Sequence, residues 1–262
     1  MMADLILTVR PAADAAADVE ALGRRGVPAM AAPVMTATCL GEAALPAAGS
    51  AGNVAAGSVG GLIFTSRHAI SGFLALCGGV VPPGWADLPV FAVGRASGRV
   101  ARGAGFIDVT IGSGGGSGLV PLILARFPAC REMNAPLLWP CAVNRGFDMK
   151  AALAPRIDVT LLPVYEMKPV TAFDDRALAA IDQGRVGAVI LMSARSASLF
   201  RDLLARHDLD ARVTDMALIA GSAAIAAAAG AGWKEEFVAR RSTRARLLAI
   251  AALFYHRRMT GC

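Results

Sequence analysis

Short apolar runs recur along the whole chain, each passing through a Gly-, Ser- or Thr-bearing turn into an amphipathic Ala/Arg/Leu stretch. This rhythm limits the fold more than any other feature of the sequence. Leu5-Ile6-Leu7-Thr8-Val9 reads as a buried strand, followed by a helix from Ala12 to Arg25 that Gly26 ends. Pro28 to Val34, Leu62 to Thr65 and Val90 to Val93 read as further strands, the last two running into helices at Arg67–Leu76 and Ala96–Ala104. Pro136 to Trp139 and Val159 to Leu162 flank a helix at Met149–Leu153. Ala188 to Met192 leads to a helix through Leu199 to Arg206, and Met216 to Ile219 to an Ala-rich helix ending near Gly230. Strands this short and this apolar are covered on both faces, and a helical crossover brings the next strand back parallel. The expected class is therefore α/β, with parallel sheets flanked by helices.

The strand-to-helix turns carry the chemistry. Thr65-Ser66-Arg67, Gly94-Arg95-Ala96-Ser97, Ser193-Ala194-Arg195-Ser196 and Gly221-Ser222 each put a hydroxyl and free backbone N–H groups at a helix start, three of them beside an Arg. Ser and Thr are ordinary helix N-caps, so capping alone accounts for any one of these turns. Ligands of open α/β sheets sit outside the carboxyl ends of strands, where helix N-termini favour anions. Four such turns, two in each half of the chain, point to two sheets facing one cleft.

Of the 262 residues 55% are hydrophobic and 18% charged, enough apolar material for a core and too much for a disordered chain. The uncharged stretches Ala43–Ser66 and Met216–Trp233 are interrupted by Pro46 and Asn53 and by Gly230 and Gly232. A spanning helix needs about 20 predominantly apolar residues, so no membrane segment is expected. Met1 to Leu5 offers no basic region ahead of an apolar run, so no secretory leader is expected. Five cysteines without a C-x-x-C fit a reducing cytoplasm better than a disulfide scaffold, and His68, His207 and His256 never pair at i, i+4, so no metal site is expected.

The net charge is +6, carried almost wholly by Arg, since Lys150, Lys168 and Lys234 are the only lysines. The dense run Arg240, Arg241, Arg244, Arg246, Arg257 and Arg258 has no aromatic interleaving and no nucleic-acid motif spacing. It reads as the solvated face of a last helix, with Leu247, Leu248, Ile250, Leu253 and Phe254 turned inward, and no nucleic-acid partner is expected. Gly112 to Gly118 matches neither G-x-G-x-x-G nor a P-loop, so no nucleotide cofactor is implied and a linker is expected. Asp14 and Asp18 share a helical face near its start and are expected to face water; Asp174-Asp175 reads as a surface turn.

At the same turns the sequence resembles uroporphyrinogen-III synthases. Gly61 to Ile70 is similar to that family's strand and helix start opened by a Thr-Ser pair, and Val90 to Ser97 resembles its V-G-x-A-T turn with Ser97 in the Thr place. Leu138-Trp139-Pro140-Cys141 and Leu162-Pro163-Val164-Tyr165-Glu166 resemble its central stretch. Leu191 to Ala197 stands where the family has F-x-S-P-S, and Ile219 to Ala224 where it has I-G-P-T-T-A. Leu7 to Pro11 resembles the T-R-P start, so the likeness runs in order from Leu5 to about Leu248. The pattern departs at Ala194 and Ala220, at Ala142-Val143-Asn144-Arg145, which lacks the glycine usual after Pro-Cys, and at Met167.

The resemblance implies two α/β domains joined by two crossing segments with the ligand cleft between them, residues 1–35 with 170–262 forming one and 36–169 the other. It implies cofactor-free cyclisation of hydroxymethylbilane, with inversion of ring D, to uroporphyrinogen III. Tyr165 is the expected proton donor, and Arg10, Thr65, Ser66, Arg67, Ser97, Ser193, Arg195 and Ser222 the expected contacts for the substrate's carboxylates. A monomer is expected, with transient contact to the enzyme that makes hydroxymethylbilane. The competing reading is a non-catalytic two-domain binding module for a polyanionic small molecule.

Overall fold

The computed structural model describes residues 5–41, 59–113, 115–127 and 135–260. The chain forms two compact units, Met1–Thr36 with Lys168–Cys262, and Ala37–Met167. In the first, β1 (Leu5–Thr8) leads through α1 (Ala12–Gly23) to β2 (Ala29–Ala31). β3 (Met35–Cys39) carries the chain into the second. There β4 (Gly61–Phe64), α2 (Arg67–Leu76), β5 (Val90–Val93), α3 (Gly94–Ala104), β6 (Val109–Gly112), α4 (Val120–Arg126), β7 (Leu137–Ala142) and α5 (Met149–Leu153) follow in order. The long β8 (Val159–Pro169) returns it to the first unit. That unit is completed by α6 (Asp175–Asp182), β9 (Val186–Leu191), α7 (Ala194–Arg206), β10 (Ala217–Ala220), α8 (Ala223–Ala229), β11 (Glu235–Val238) and α9 (Arg244–Thr260).

The first sheet has the order β11-β10-β9-β1-β2 and the second β3-β8-β7-β4-β5-β6. Every pairing of the first sheet is parallel, as are those from β8 across to β6 in the second. The α/β class with helix-flanked parallel sheets is thus observed. It follows from strands such as β4 and β9, every residue of which is buried.

Alternation along the strands sorts the cores. In the second unit Leu62, Phe64, Val90, Leu138 and Leu162 pack with Ile70 and Phe73 of α2 and with Trp85. Ile63, Phe91, Leu137, Trp139 and Val159 face the other way, onto Ile123 of α4 and Met149 and Leu153 of α5. Each large side chain so buried contributes about 1.5–3 kcal/mol. In the first unit Ile6, Ala188, Ile190 and Ile219 pack with Leu22 of α1 and Leu247, Leu248 and Phe254 of α9. The opposite face is left to α7 and α8, which pack on each other and on β9 and β10.

Several expectations change. α3 starts at Gly94, not Ala96, because Gly94 takes φ +71° and turns the chain straight into the helix. β3, β6, β11 and α6 had no strong apolar signature; β11, for example, is a largely exposed edge strand reading Glu235-Glu236-Phe237-Val238. Asp174-Asp175 opens α6 instead of forming a free turn, with Asp174 accepting from Ala177 N–H at 2.8 Å. Leu253 is 60% exposed rather than inward, since the buried line of α9 runs through Leu247, Ala251 and Phe254.

Gly112, Gly116 and Gly118 do not behave as positions of a loose linker. A Cβ on Gly118 would lie 1.6 Å from the Ser113 carbonyl oxygen, one on Gly112 would be 2.6 Å from Leu119, and one on Gly116 would be 2.8 Å from Phe147. The glycines let the backbone close onto itself and onto its neighbour. Among the described residues no helix is long and apolar enough to cross a membrane. Met216–Trp233 divides into β10 and α8. Most of Ala43–Ser66 lies outside the described residues, as do Cys130 and Cys262.

Candidate functional site

The strand orders fix where each unit can hold a ligand. In the second unit the chain leaves β4 toward β5 and β6, then returns on the other side of β4 to lay down β7 and β8. Outside the carboxyl ends of β4 and β7 the connections part to opposite faces, α2 to one and the segment before α5 to the other, which opens a crevice. A cavity of 280 Å³ lies there, reached by Thr65 after β4, Asn144, Arg145 and Phe147 after β7, and Tyr165 on β8.

Tyr165 reaches this place through a bulge. Cys141 pairs with Pro163 but Ala142 with Tyr165, so β8 carries one extra residue at Val164. A single bulged residue reverses the facing of everything after it. Val164 and Tyr165 therefore both join the core on the α2 side. The Tyr165 hydroxyl lies 3.0 Å from Ser66 Oγ, and the same oxygen accepts the Ala69 N–H at 3.0 Å as the N-cap of α2. The phenol ring lies 5.7 Å from the His68 ring. Burial raises the Tyr165 pKa above its ordinary value, opposed by the Ser66 hydrogen bond and assisted by Cys141, so the phenol is protonated at neutral pH.

Gly72 lets α2 come this close. A Cβ there would lie 2.6 Å from the Val164 carbonyl oxygen and 3.0 Å from its Cγ2. On the other side of the crevice Trp139 Nε1 donates to Thr65 Oγ1 at 3.3 Å. Arg145 Nη1 donates to the Ala142 and Val143 carbonyls at 2.9 and 3.0 Å, and its guanidinium lies 5.7 Å from the Trp139 ring centroid. Burial also pushes the Cys141 thiol up, with Arg145 opposing.

The structure thus brings Thr65, Ser66 and Tyr165 together, with Arg67 following in the first turn of α2. Ser97 is placed differently from expectation. It lies inside the first turn of α3, 4% exposed, and α3 has no side-chain cap, so its start offers amides and not this hydroxyl. Ser193 caps α7, accepting from Ser196 N–H at 3.0 Å, with Arg195 exposed in the first turn; Ser222 caps α8, accepting from Ile225 N–H at 3.4 Å.

The first unit has its own reversal, between β1 and β9, and Arg10 stands there. The expectation that Asp14 and Asp18 face water is overturned, for Asp14 is 8% and Asp18 0% exposed. Asp18 accepts from Thr8 Oγ1 at 3.0 Å, from Arg10 Nη1 at 3.2 Å and from Arg244 Nε, while Arg10 Nη2 pairs with Asp14 at 3.2 Å. The face that helical periodicity assigns to solvent is covered here by the start of α9. The sequence alone gives no role to Arg145, Phe147 or Gly72, and it sends Asp18 to solvent. Its one signal near the first two is the missing glycine after Pro140-Cys141, which marks a loop of unusual content.

A family model described as HEM4, uroporphyrinogen-III synthase HemD, matches residues 16–249. No curated protein sequence matches. Among solved structures, a mutant uroporphyrinogen III synthase from the extremely thermophilic bacterium Thermus thermophilus is 17% identical, with a TM-score of 0.52 over 98% of this chain and 99% of that one. The Helicobacter pylori 26695 uroporphyrinogen-III synthetase is 15% identical, with a TM-score of 0.59 over 96% and 98%. At these identities the structures speak for the fold.

Proposed function

The chain belongs to the uroporphyrinogen-III synthase family, and we propose that Tyr165 is the proton donor through which it works. It is a lyase of tetrapyrrole and haem biosynthesis, cyclising hydroxymethylbilane to uroporphyrinogen III. The observation that carries the proposal is the Tyr165–Ser66–Ala69 chain at the start of α2. Ser66 Oγ already accepts an amide N–H, so its own proton is free to point at the phenol oxygen, and the phenol proton at the substrate. As the terminal C–O bond breaks, Tyr165 passes its proton to the leaving hydroxyl, which departs as water. The azafulvene cation left behind and the phenolate balance each other. Ser66, backed by the N-terminus of the ten-residue α2, stabilises that phenolate.

The substituted carbon of ring D attacks the cation to give the spiro pyrrolenine. Fragmentation and reattachment invert ring D, and the proton lost on rearomatisation returns to Tyr165. Holding a floppy chain so that its ends meet is the larger share of the task. Thr65, Ser66 and Arg67 in one unit, and Ser193, Arg195 and Ser222 in the other, are the groups we assign to the substrate's carboxylates, with the Gly94 turn offering amides in place of the Ser97 hydroxyl and Arg10 left to Asp14 and Asp18. The reading includes a monomeric, cofactor-free enzyme of the cytoplasm that meets the source of its unstable substrate transiently. No observation favours the non-catalytic alternative. Purified protein supplied with freshly generated hydroxymethylbilane should yield the type III isomer; type I alone, the spontaneous product, would defeat the reading.

A further inference from the structure

The crevice beside Tyr165 has a content that proton donation does not use. Its walls include the Trp139 indole and the Phe147 ring, with Thr65 and Asn144 as polar groups and Arg145 as the cation. Among the described residues no carboxylate lines it and Arg145 makes no ion pair. Its Nη1 is anchored on two backbone carbonyls, neutral partners that hold the guanidinium in place without cancelling its charge. Gly116 keeps Phe147 where it is, since a Cβ at that position would lie 2.8 Å from Phe147 Cδ1. At 280 Å³ the cavity sits at the lower edge of the range of about 300–1,000 Å³ that holds drug-sized ligands, which admits one substituted ring and not a tetrapyrrole.

We propose that this crevice is a subsite for a single acid-bearing pyrrole ring, packed against Phe147, with Arg145 reading a carboxylate on that ring. The proposal rests on the synthase reading and refines it, making Arg145 a specificity determinant next to the proton donor. A flat electron-rich ring suits the Phe147 face, and an uncompensated guanidinium suits a carboxylate better than any neutral arm.

The probe is a monopyrrole with one acetate and one propionate arm, and its dimethyl ester is the control. Binding to the full chain is followed by the NMR shift of the Trp139 indole N–H. The acid should give a saturable shift, and the ester should bind at least about tenfold more weakly, one lost charge-assisted contact being worth that factor. Arg145→Met should lose the preference for acid over ester, and Arg145→Lys should keep part of it. Because Arg145 is exposed, retained spectral dispersion shows that either variant folds. Equal binding of acid and ester, an unchanged preference in Arg145→Met, or no saturable shift would overturn the subsite. If the wild-type protein still makes the type III isomer in any of those cases, the subsite falls and the synthase reading stands. Failure of the isomer assay instead strikes the reading beneath it.

Discussion

The two units reverse chain direction at equivalent points of their sheets and fill the resulting crevices in opposite ways. Between β4 and β7 the groups are a phenol, two hydroxyls and a guanidinium whose charge is left uncancelled. Between β1 and β9, Arg10 and Arg244 converge on the buried Asp18, and Asp14 adds a second carboxylate. Topology dictates where a crevice forms and is silent on its use. In the first crevice the guanidinium is held by neutral groups, the Ala142 and Val143 carbonyls. In the second the charged groups satisfy one another, tying α9 to α1 across 226 residues of sequence.

The sharpest way to break this contrast is Tyr165→Phe. It keeps the packing and removes the proton, so type III formation should fall by a factor on the order of 10²–10⁴ while the unfolding midpoint barely moves. Asp18→Asn tests the other side. Removing the charge from a side chain with no exposure leaves Arg244 without its anion and Arg10 with Asp14 alone, and the unfolding free energy should drop by about 3 kcal/mol in denaturant titration. An unaffected midpoint would mean that the cluster is not the tie described.

Gly72→Ala sharpens the comparison from within the second unit. The added methyl meets the Val164 backbone, so α2 must shift, costing about 1–3 kcal/mol and lowering turnover by displacing Ser66 from Tyr165. Ser66→Ala and Asp174→Ala each remove a helix cap worth about 1 kcal/mol. Rate loss should appear only in the former, and equal rate loss in both would dissolve the phenol relay. The smallest effect is alkaline. Tyr165 has its folded pKa raised by burial, so its contribution to stability is complete below the ordinary phenol value of about 10 and is lost as pH rises through the higher folded one. Stability measured above pH 10 should therefore decline more steeply in the wild type than in Tyr165→Phe.

Much of this is readable in the chain. Ser66, Ser193 and Ser222 announce helix starts because a cap is a contact within three residues, and each of them does cap its helix. Asp18 escapes such a reading for the converse reason: periodicity ranks the faces of α1 by its own residues, but Arg244 comes from the far end of the chain. The Gly112–Gly118 run looks loose because composition reports what a backbone can do, while close approach to Ser113, Leu119 and Phe147 reports what it is needed for.

Local chemistry in the sequence was sufficient for the α/β class, for most of its strands and helices, and for the caps at Ser66, Ser193 and Ser222, since each depends on neighbours a few residues apart. The facing of Tyr165 was decided only in three dimensions. One extra residue in β8 turns its ring toward α2, and such a bulge exists only relative to the partner strand β7. Whether a cation stays available, as Arg145 does, or is consumed, as Arg10 is, was settled likewise, because charge is cancelled by whatever the fold brings within a few ångströms and not by what lies next along the chain.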